Sequence, residues 1–364
     1  MTNILTAKFP PDLNNLYTEE LANQLANTQG AISALNQLQR QLQNPLLLMR
    51  PILAKEAESS SRLEGTQASI DDVYKIDILN QSDEKRNQAL EVRNYQDAML
   101  TGISILKRFK LNTFLIREIH KALTKGVRGK EKTPGEFRKG EVWIGTEGTD
   151  RGNARYIPPD ALHIKELMAN LESFIISRGS VHPLIACGLI HHRFEGIHPF
   201  NDGNGRTGRL LMSLYLIKEG LLDQPIIYIS GYFERNRNEY LEKLSLVDKQ
   251  EKWYSWLIFF LRGLEVQSKA SFEIGLNIDK LFRESRQKIE NERAGLNLIR
   301  VLEFTFTMPY ITTPIITKHL KIPSSSIQRY LETLSKKNIL IDIGIHFKER
   351  VYANLSLIKL LQRV

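Results

Sequence analysis

Cysteine is nearly absent. Cys187 stands alone in 364 residues, so neither an internal disulfide nor a cysteine-built zinc cage can form. Long apolar runs are missing too: the longest candidate, Trp256–Leu261, stops at Arg262, far short of the ~20 residues of a membrane helix. The N-terminus, Met1–Lys8, lacks the basic-then-apolar layout of a secretory signal. Internal repeats and low-complexity tracts are likewise lacking. Against these absences, hydrophobic residues at 42% and charged residues at 25% exclude a mainly disordered chain. The expectation is a cytoplasmic protein with no membrane partner, long enough for two or three packed units.

Acidic side chains thin out toward the C-terminus. Residues 295–364 hold ten basic and four acidic side chains, six of the chain's net charge of +9, which leaves the rest nearly neutral. A small basic tail on a neutral body suggests nucleic acid as a partner, or simply a solvated basic surface.

Helical spacing of Leu and Ala over 17–43 predicts an amphipathic helix, with Pro45 and Pro51 breaking the pattern before a second helix that ends near Gly65. Further helices are expected over 84–108, 112–126, 160–178, 182–195, 206–219, 236–247 and 251–285. Residues 134–159 read instead as a β-hairpin: Glu141–Gly145 and Ala154–Ile157 flank a Gly/Thr/Asp-rich middle, and Pro158-Pro159 closes it. Pro225–Ser230 reads as an extended connector, and the polar stretch 286–294 as a joint. The tail runs helix, short helix, turn, helix, then two β-like segments, 339–343 and 350–353. That order resembles a winged helix-turn-helix. Ser324, Ser326, Gln328 and Arg329, near the start of its third helix, suit base-edge or phosphate contacts, though such a unit can also serve protein contact alone.

The chemistry concentrates in His198–Arg209, His-Pro-Phe-Asn-Asp-Gly-Asn-Gly-Arg-Thr-Gly-Arg. Gly203 and Gly205 permit positive φ and can turn successive N–H groups toward one point. A helix expected from about Arg206 adds its unsatisfied N–H groups and the positive end of its dipole. Arg206 and Arg209, three apart, share a helical face and can fork onto phosphate oxygens. Asp202 is a hard oxygen ligand suited to Mg²⁺. His198 titrates near neutrality and can take a proton from an attacking hydroxyl. Base, metal ligand, anion cradle and two cations describe phosphoryl or nucleotidyl transfer.

Two decoys fall away. Gly203–Gly208 spells G-x-G-x-x-G, but Glu195–Asp202 before it is no apolar strand, so a dinucleotide fingerprint is excluded. No P-loop is present either. His191 and His192 are adjacent and point to different helical faces, which favours packing over metal ligation.

The stretch matches H-P-F-x-[DE]-G-N-G-R-x-x-R at every fixed position, and so resembles the signature of the Fic family of protein adenylyltransferases. The resemblance spans about residues 110–250, with a family-like helical region before it. It implies a mainly α fold: an N-terminal helical region over 1–110, a catalytic bundle over 111–285 with a β-hairpin flap, and the winged helix-turn-helix over 290–364. It implies ATP as substrate, Mg²⁺ as cofactor and a partner protein bearing a Ser, Thr or Tyr hydroxyl, with self-modification included; a homodimer stays open. His198 would be the general base, and Asp202 would hold Mg²⁺ against the α- and β-phosphates. Asn204 would contact the α-phosphate. The amides of Gly203–Gly205 with Arg206 would hold the phosphate chain, and Arg209 the γ-phosphate. The hairpin corresponds to the family's flap, with Trp143 and Ile157 as target clamps or as hairpin packing. Tyr240 would border the adenine. Ser60-Ser-Arg-Leu-Glu-Gly65 resembles the family's inhibitory motif [ST]-x-x-x-E-[GN], in which Glu64 pairs with Arg209 and occupies the γ-phosphate space. Two alternatives accompany this reading. One is a same-fold transferase of another group; relatives that transfer phosphate depart at the positions of Gly205 and Arg209. The other is a DNA-binding regulator with a sensory or autoregulatory Fic core.

Overall fold

The computed structural model describes residues 9–13, 16–42, 44–76, 78, 82–126, 133–145, 150–292, 295–346 and 348–362. Its elements follow from local chemistry. α1 (Glu19–Gln41) opens on Thr18, whose side chain accepts the Leu21 N–H, with Glu19 and Glu20 in the first turn. α2 (Leu46–Leu63) ends at Glu64, where Gly65 takes φ 99° to turn the chain. α3 (Ile70–Lys75) starts with a reciprocal Ser69–Asp72 capping box. α4 (Asp83–Leu106), α5 (Thr113–Leu123), α6 (Ile164–Ile176), α7 (Pro183–Ile197), α8 (Asn204–Lys218), α9 (Ser230–Arg235), α10 (Arg237–Gln250) and α11 (Trp253–Lys288) complete the bundle. Among the described residues no helix is long and apolar enough to cross a membrane.

α7 and α8 pack against each other at the centre and are buried on nearly every side, so the loop between them is held at both ends. α1 lies along α11, and α2 threads between α4, α8, α9 and α11. Pro51 falls inside α2 instead of breaking it. An interior proline costs about 3 kcal/mol, but Leu47, Leu48, Ile52 and Leu53 around it are all 2% exposed or less, and their burial outweighs that cost. The short helices α3 and α9 were not signalled by periodicity, since six residues cover less than two turns.

The hairpin expected over 134–159 is a correction. Among the described residues it holds one antiparallel bridge, Ile144 to Tyr156, and a 3₁₀ turn over Arg151–Asn153; residues 146–149 lie outside the description. Side chains replace the ladder: the Arg138 guanidinium donates to the carbonyls of Gly140 (2.9 Å) and Pro159 (2.5 Å).

The tail comprises α12 (Gly295–Thr307), β1 (Tyr310–Thr312), α13 (Thr313–Leu320), α14 (Ser324–Lys336), β2 (Ile341–His346), β3 (Glu349–Ala353) and α15 (Leu355–Gln362). The helix–helix–turn–helix–hairpin order is present, with β1 added to give an antiparallel sheet in the order β1-β3-β2. The tail shares the main core: Leu298, Val301, Leu302 and Phe306 belong to the same buried cluster as Leu53 and Phe260. It also grips the segment around α2. Lys55 Nζ donates to the Leu361 carbonyl (2.6 Å), Tyr310 Oη donates to Asp71 (2.7 Å), and Ile78 packs with Tyr310, Val351 and Ile358.

Phe306 is fully buried, edge-on to Phe282 of α11 at 5.3 Å. Phe306→Ala is expected to cost about 3–5 kcal/mol. Denaturant unfolding followed by tryptophan fluorescence should then show a lower midpoint and still a single transition, because the tail and body share one core.

Candidate active site

The loop between α7 and α8 is built around a residue in an unusual conformation. His198 caps α7 in the left-handed region (φ 51°, ψ 59°), rare for a residue with a Cβ. Two contacts hold it there: its N–H bonds the Phe194 carbonyl (3.0 Å), and its own carbonyl accepts from Arg138 Nε (2.9 Å). The Arg138 amide bonds the Pro199 carbonyl (2.9 Å), so one residue ties the flap base to the loop. Phe200 is fully buried and stacks on His120 at 3.7 Å. His120 Nδ1 accepts the Gly135 N–H, which leaves its Nε2 to donate to the Asp202 carbonyl (both 2.9 Å). Burial pushes this imidazole down to about 4, keeping the neutral tautomer that the two bonds require.

Gly203 caps α8 at φ 74°, as expected of a turn that bends N–H groups inward. Gly205 does not: it lies within the helix, which begins at Asn204, two residues earlier than its periodicity suggests. Its need for glycine is steric, because a Cβ there would lie 2.1 Å from Glu64 Oε1. Asn204 also has a structural task. Its side chain accepts from Phe200 N–H and donates to the Phe200 carbonyl (both 2.8 Å), so it staples the loop, and its amide nitrogen keeps a second N–H.

Arg209 is 2% exposed, and the end of α2 takes up its guanidinium. Nε donates to Ser60 Oγ (2.8 Å), and Nη2 donates to the Ser60 carbonyl (2.9 Å) and to Glu64 Oε1 (2.6 Å). Burial alone would favour the neutral guanidine; the Glu64, Tyr240 and Glu195 side chains outweigh it and hold Arg209 charged. Glu64 feels the reverse: burial disfavours its charge, and Arg209 more than offsets this, leaving its carboxyl below the ordinary range. Arg206 sits 3.4 Å from Glu91 and 3.8 Å from Asp202, and its Nε is buried without a hydrogen-bond partner among the described residues.

A cavity of about 390 Å³ opens beside this pair, within the range of small-molecule sites. Glu64, Glu195, His198, Gly205 and Arg209 line it, together with Tyr240, Leu241, Leu244, Ser245 and Asp248 of α10. Burial pushes His198 down to about 4, against opposing pulls from the Glu64 charge and the Glu195 carbonyl. The ring is therefore neutral at physiological pH. Burial raises Glu195 and Asp248 to about 7. Tyr240 lies on the wall, with its hydroxyl bonded to His191 Nε2 at 2.9 Å. His191 and His192 are buried packing residues, as their adjacency suggests. Of the flap positions, Trp143 is exposed and Ile157 half-buried, and neither lines the cavity, whereas their neighbours Ile144 and Tyr156 do. Side chains in extended segments alternate faces, so adjacent positions meet different surroundings.

Among the described residues no three His, Cys, Asp or Glu side chains gather as a metal site. Asp202, with its side chain 37% exposed at the cradle's edge, is the carboxylate that a divalent cation would use. Mg²⁺ commonly takes one or two carboxylates and completes its shell with phosphates and water, so this donor fits.

Several residues at the site carry no motif. Glu56 lies one and two turns before Ser60 and Glu64 on the same face of α2. Fully buried, it accepts from Tyr95 Oη (2.9 Å), Ser230 N–H (2.9 Å) and Ser230 Oγ (2.5 Å), which pins α2 to α4 and α9. Its i, i+4, i+8 spacing with Ser60 and Glu64 was the available signal. Arg138 and His120 had none, since the loop carbonyls they hold, those of His198 and Asp202, lie 60 and 82 residues away in sequence.

Comparison with known proteins agrees with this geometry. Residues 110–216 match the Fic/DOC family, and residues 22–104 match the Fic/DOC family N-terminal segment. Two relatives are named protein adenylyltransferase Fic. That of Drosophila willistoni is 30% identical over 148 residues, 40% of this chain and 26% of its own length. That of Aedes aegypti is 32% identical over 136 residues, 37% and 24% respectively. The chain thus spans about a quarter of the length of the curated relatives it matches. A Fic family protein from Desulfovibrio desulfuricans G20 shares the fold at TM-score 0.60 and 20% identity, covering 93% of this chain and 96% of that one. Fic-1 (aa134–508) from C. elegans does so at TM-score 0.54 and 19% identity over 71% and 74%. With both family segments in sequence and a fold shared along nearly its whole length, the chain is a Fic domain protein.

Proposed function

We propose that this protein transfers AMP from ATP to a hydroxyl of a target protein or of itself, and that Glu64 holds it inhibited. The observation that carries this reading is one buried guanidinium, Arg209, at the mouth of an anion cradle and clasped by a carboxylate from another helix. A carboxylate and a phosphate make similar paired contacts with arginine, so Glu64 occupies the place of the terminal phosphate. Breaking a buried pair strands its charge, which makes the clasp an effective brake.

In the released state the cradle amides, Arg206 and Arg209 would hold the phosphate chain. His198 would accept the proton of the target hydroxyl. Its oxygen then bonds the α-phosphorus while the bridge to the β-phosphate breaks, and pyrophosphate leaves. Mg²⁺ held by Asp202 would neutralise charge on the phosphate oxygens. Fixed amides and cations aimed at that charge supply most of the acceleration. The names of the relatives support the reaction class.

Glu64→Gly is expected to raise self-modification with labelled ATP about tenfold or more, from the loss of one charge-assisted buried contact. His198→Ala in that background should lower it by about 10²–10⁴-fold. An unchanged first variant refutes the brake, and an active second refutes the base. The pH profile of kcat/KM reports the free enzyme. His198 is depressed to about 4, and Glu64→Gly removes a charge that raises it. The acidic limb of that variant should therefore fall at or below about 4, not near the ordinary 6.5.

The tail supports a second, compatible role as a winged helix that docks α14 on duplex DNA. Ser324, Gln328 and Arg329 are exposed at the start of α14, and Ser326 is half-buried. Fluorescence anisotropy of the full chain with duplex DNA should show affinity that falls steeply with salt and weakens in Arg329→Ala.

A further inference from the structure

Glu195 lies in the last turn of α7, three residues before His198, and its side chain lines the active-site cavity. Its seat is cut to fit: a Cβ on Gly208 of α8 would fall 2.4 Å from Glu195 Oε1. That oxygen is buried and, among the described residues, has no hydrogen-bond partner. A buried carboxylate oxygen without a donor is costly, so a cavity wall that carries one is poised for a donor from the ligand.

The proposed function puts a nucleotide in this cavity, and the present inference rests on that reading. Phosphates cannot be Glu195's partner, since both are anions; they belong at Gly205, Arg206 and Arg209. The same wall carries the apolar Leu241 and Leu244. Glu195 lies close enough to Arg209 and Glu64 on one hand, and to Tyr240 on the other, to shift the charge of each or be shifted by it. The part of a nucleotide that lies between phosphates and base, and that offers hydroxyl donors, is the sugar. Carboxylates elsewhere bind ribose hydroxyls in this way. We propose that Glu195 accepts a hydrogen bond from a ribose hydroxyl of the bound nucleotide and makes the site select ribonucleotides over dideoxynucleotides.

The test is calorimetric titration of the full chain carrying Glu64→Gly and His198→Ala, which opens the cradle and stops turnover, with Mg²⁺ present throughout. ATP should bind about tenfold or more tightly than 2′,3′-dideoxy-ATP, as expected for a hydrogen bond to a charged acceptor. Adding Glu195→Ala should bring that ratio to about one and leave the affinity for inorganic tripolyphosphate unchanged. Glu195→Gln, isosteric and still an acceptor, should restore part of the discrimination; a purely structural role would move tripolyphosphate and nucleotide together. If ATP binds and the ratio survives both substitutions, the ribose assignment is overturned while the nucleotide site stands. If tripolyphosphate binds but neither nucleotide does, the nucleotide reading of the cavity falls, and this inference with it.

Discussion

A guanidinium sealed from water must have an anion, and Arg209 is sealed in this way. In the structure the anion is Glu64, reinforced by the hydroxyl and carbonyl of Ser60. The contact fixes more than a side chain. It fastens the end of α2 to the start of α8, two helices separated by about 150 residues of sequence, and it places a carboxylate oxygen where a methyl group on Gly205 would displace it. On the proposed function, a phosphate oxygen would need the same space.

The rest of α2 is anchored so that this contact can be sharp. Glu56 binds α4 and α9 through three donors, Lys55 reaches the end of α15, and the tail packs beside both. A buried carboxylate with three donors is a specific joint, because partial satisfaction would be worse than an apolar contact. On the other wall, Arg138 and His120 hold the loop from outside, one through the His198 and Pro199 carbonyls and one through the Asp202 carbonyl. The imidazole of His198 therefore projects from a backbone fixed on both sides, the condition under which a strained φ persists.

Much of this was legible in the chain. His198–Arg209 announces an anion cradle by residue type alone, because glycine, helix start and arginine act locally, and Ser60-x-x-x-Glu64 finds its meaning once that cradle is present. The helices followed their periodicity to within a few residues. What escaped reading depends on contacts distant in sequence. Pro51 looked like a break until burial on all sides outweighed its missing N–H. Gly205 looked like a turn residue until Glu64 arrived from another helix. Asn204 was read only as a phosphate contact, and its amide also closes on Phe200, a local pairing that sequence spacing permits but does not rank. The cavity-lining Ile144 and Tyr156 of the flap went unread, since extended segments with few ladder bonds set their phase by side-chain anchors such as Arg138.

The architecture also limits how the brake can move. Glu64 is the C-cap of α2, and its side chain is 39% exposed while that of Arg209 is 2% exposed. The acidic partner is thus the more exposed half of the pair. Helix ends leave their last carbonyls unpaired and fray at little cost, and Gly65 at φ 99° supplies a permissive joint directly after it. Withdrawing Glu64 therefore needs the final turn of α2 to shift, not the whole helix, whose Glu56 and Lys55 anchors lie two turns deeper. On the proposed function, a triphosphate arriving at Arg209 would bring more negative charge than the carboxylate it replaces, so the guanidinium need never be stranded during the exchange. The proposed inhibited and productive states would then differ by one turn of helix and one anion, a difference small enough for modest binding free energies to decide.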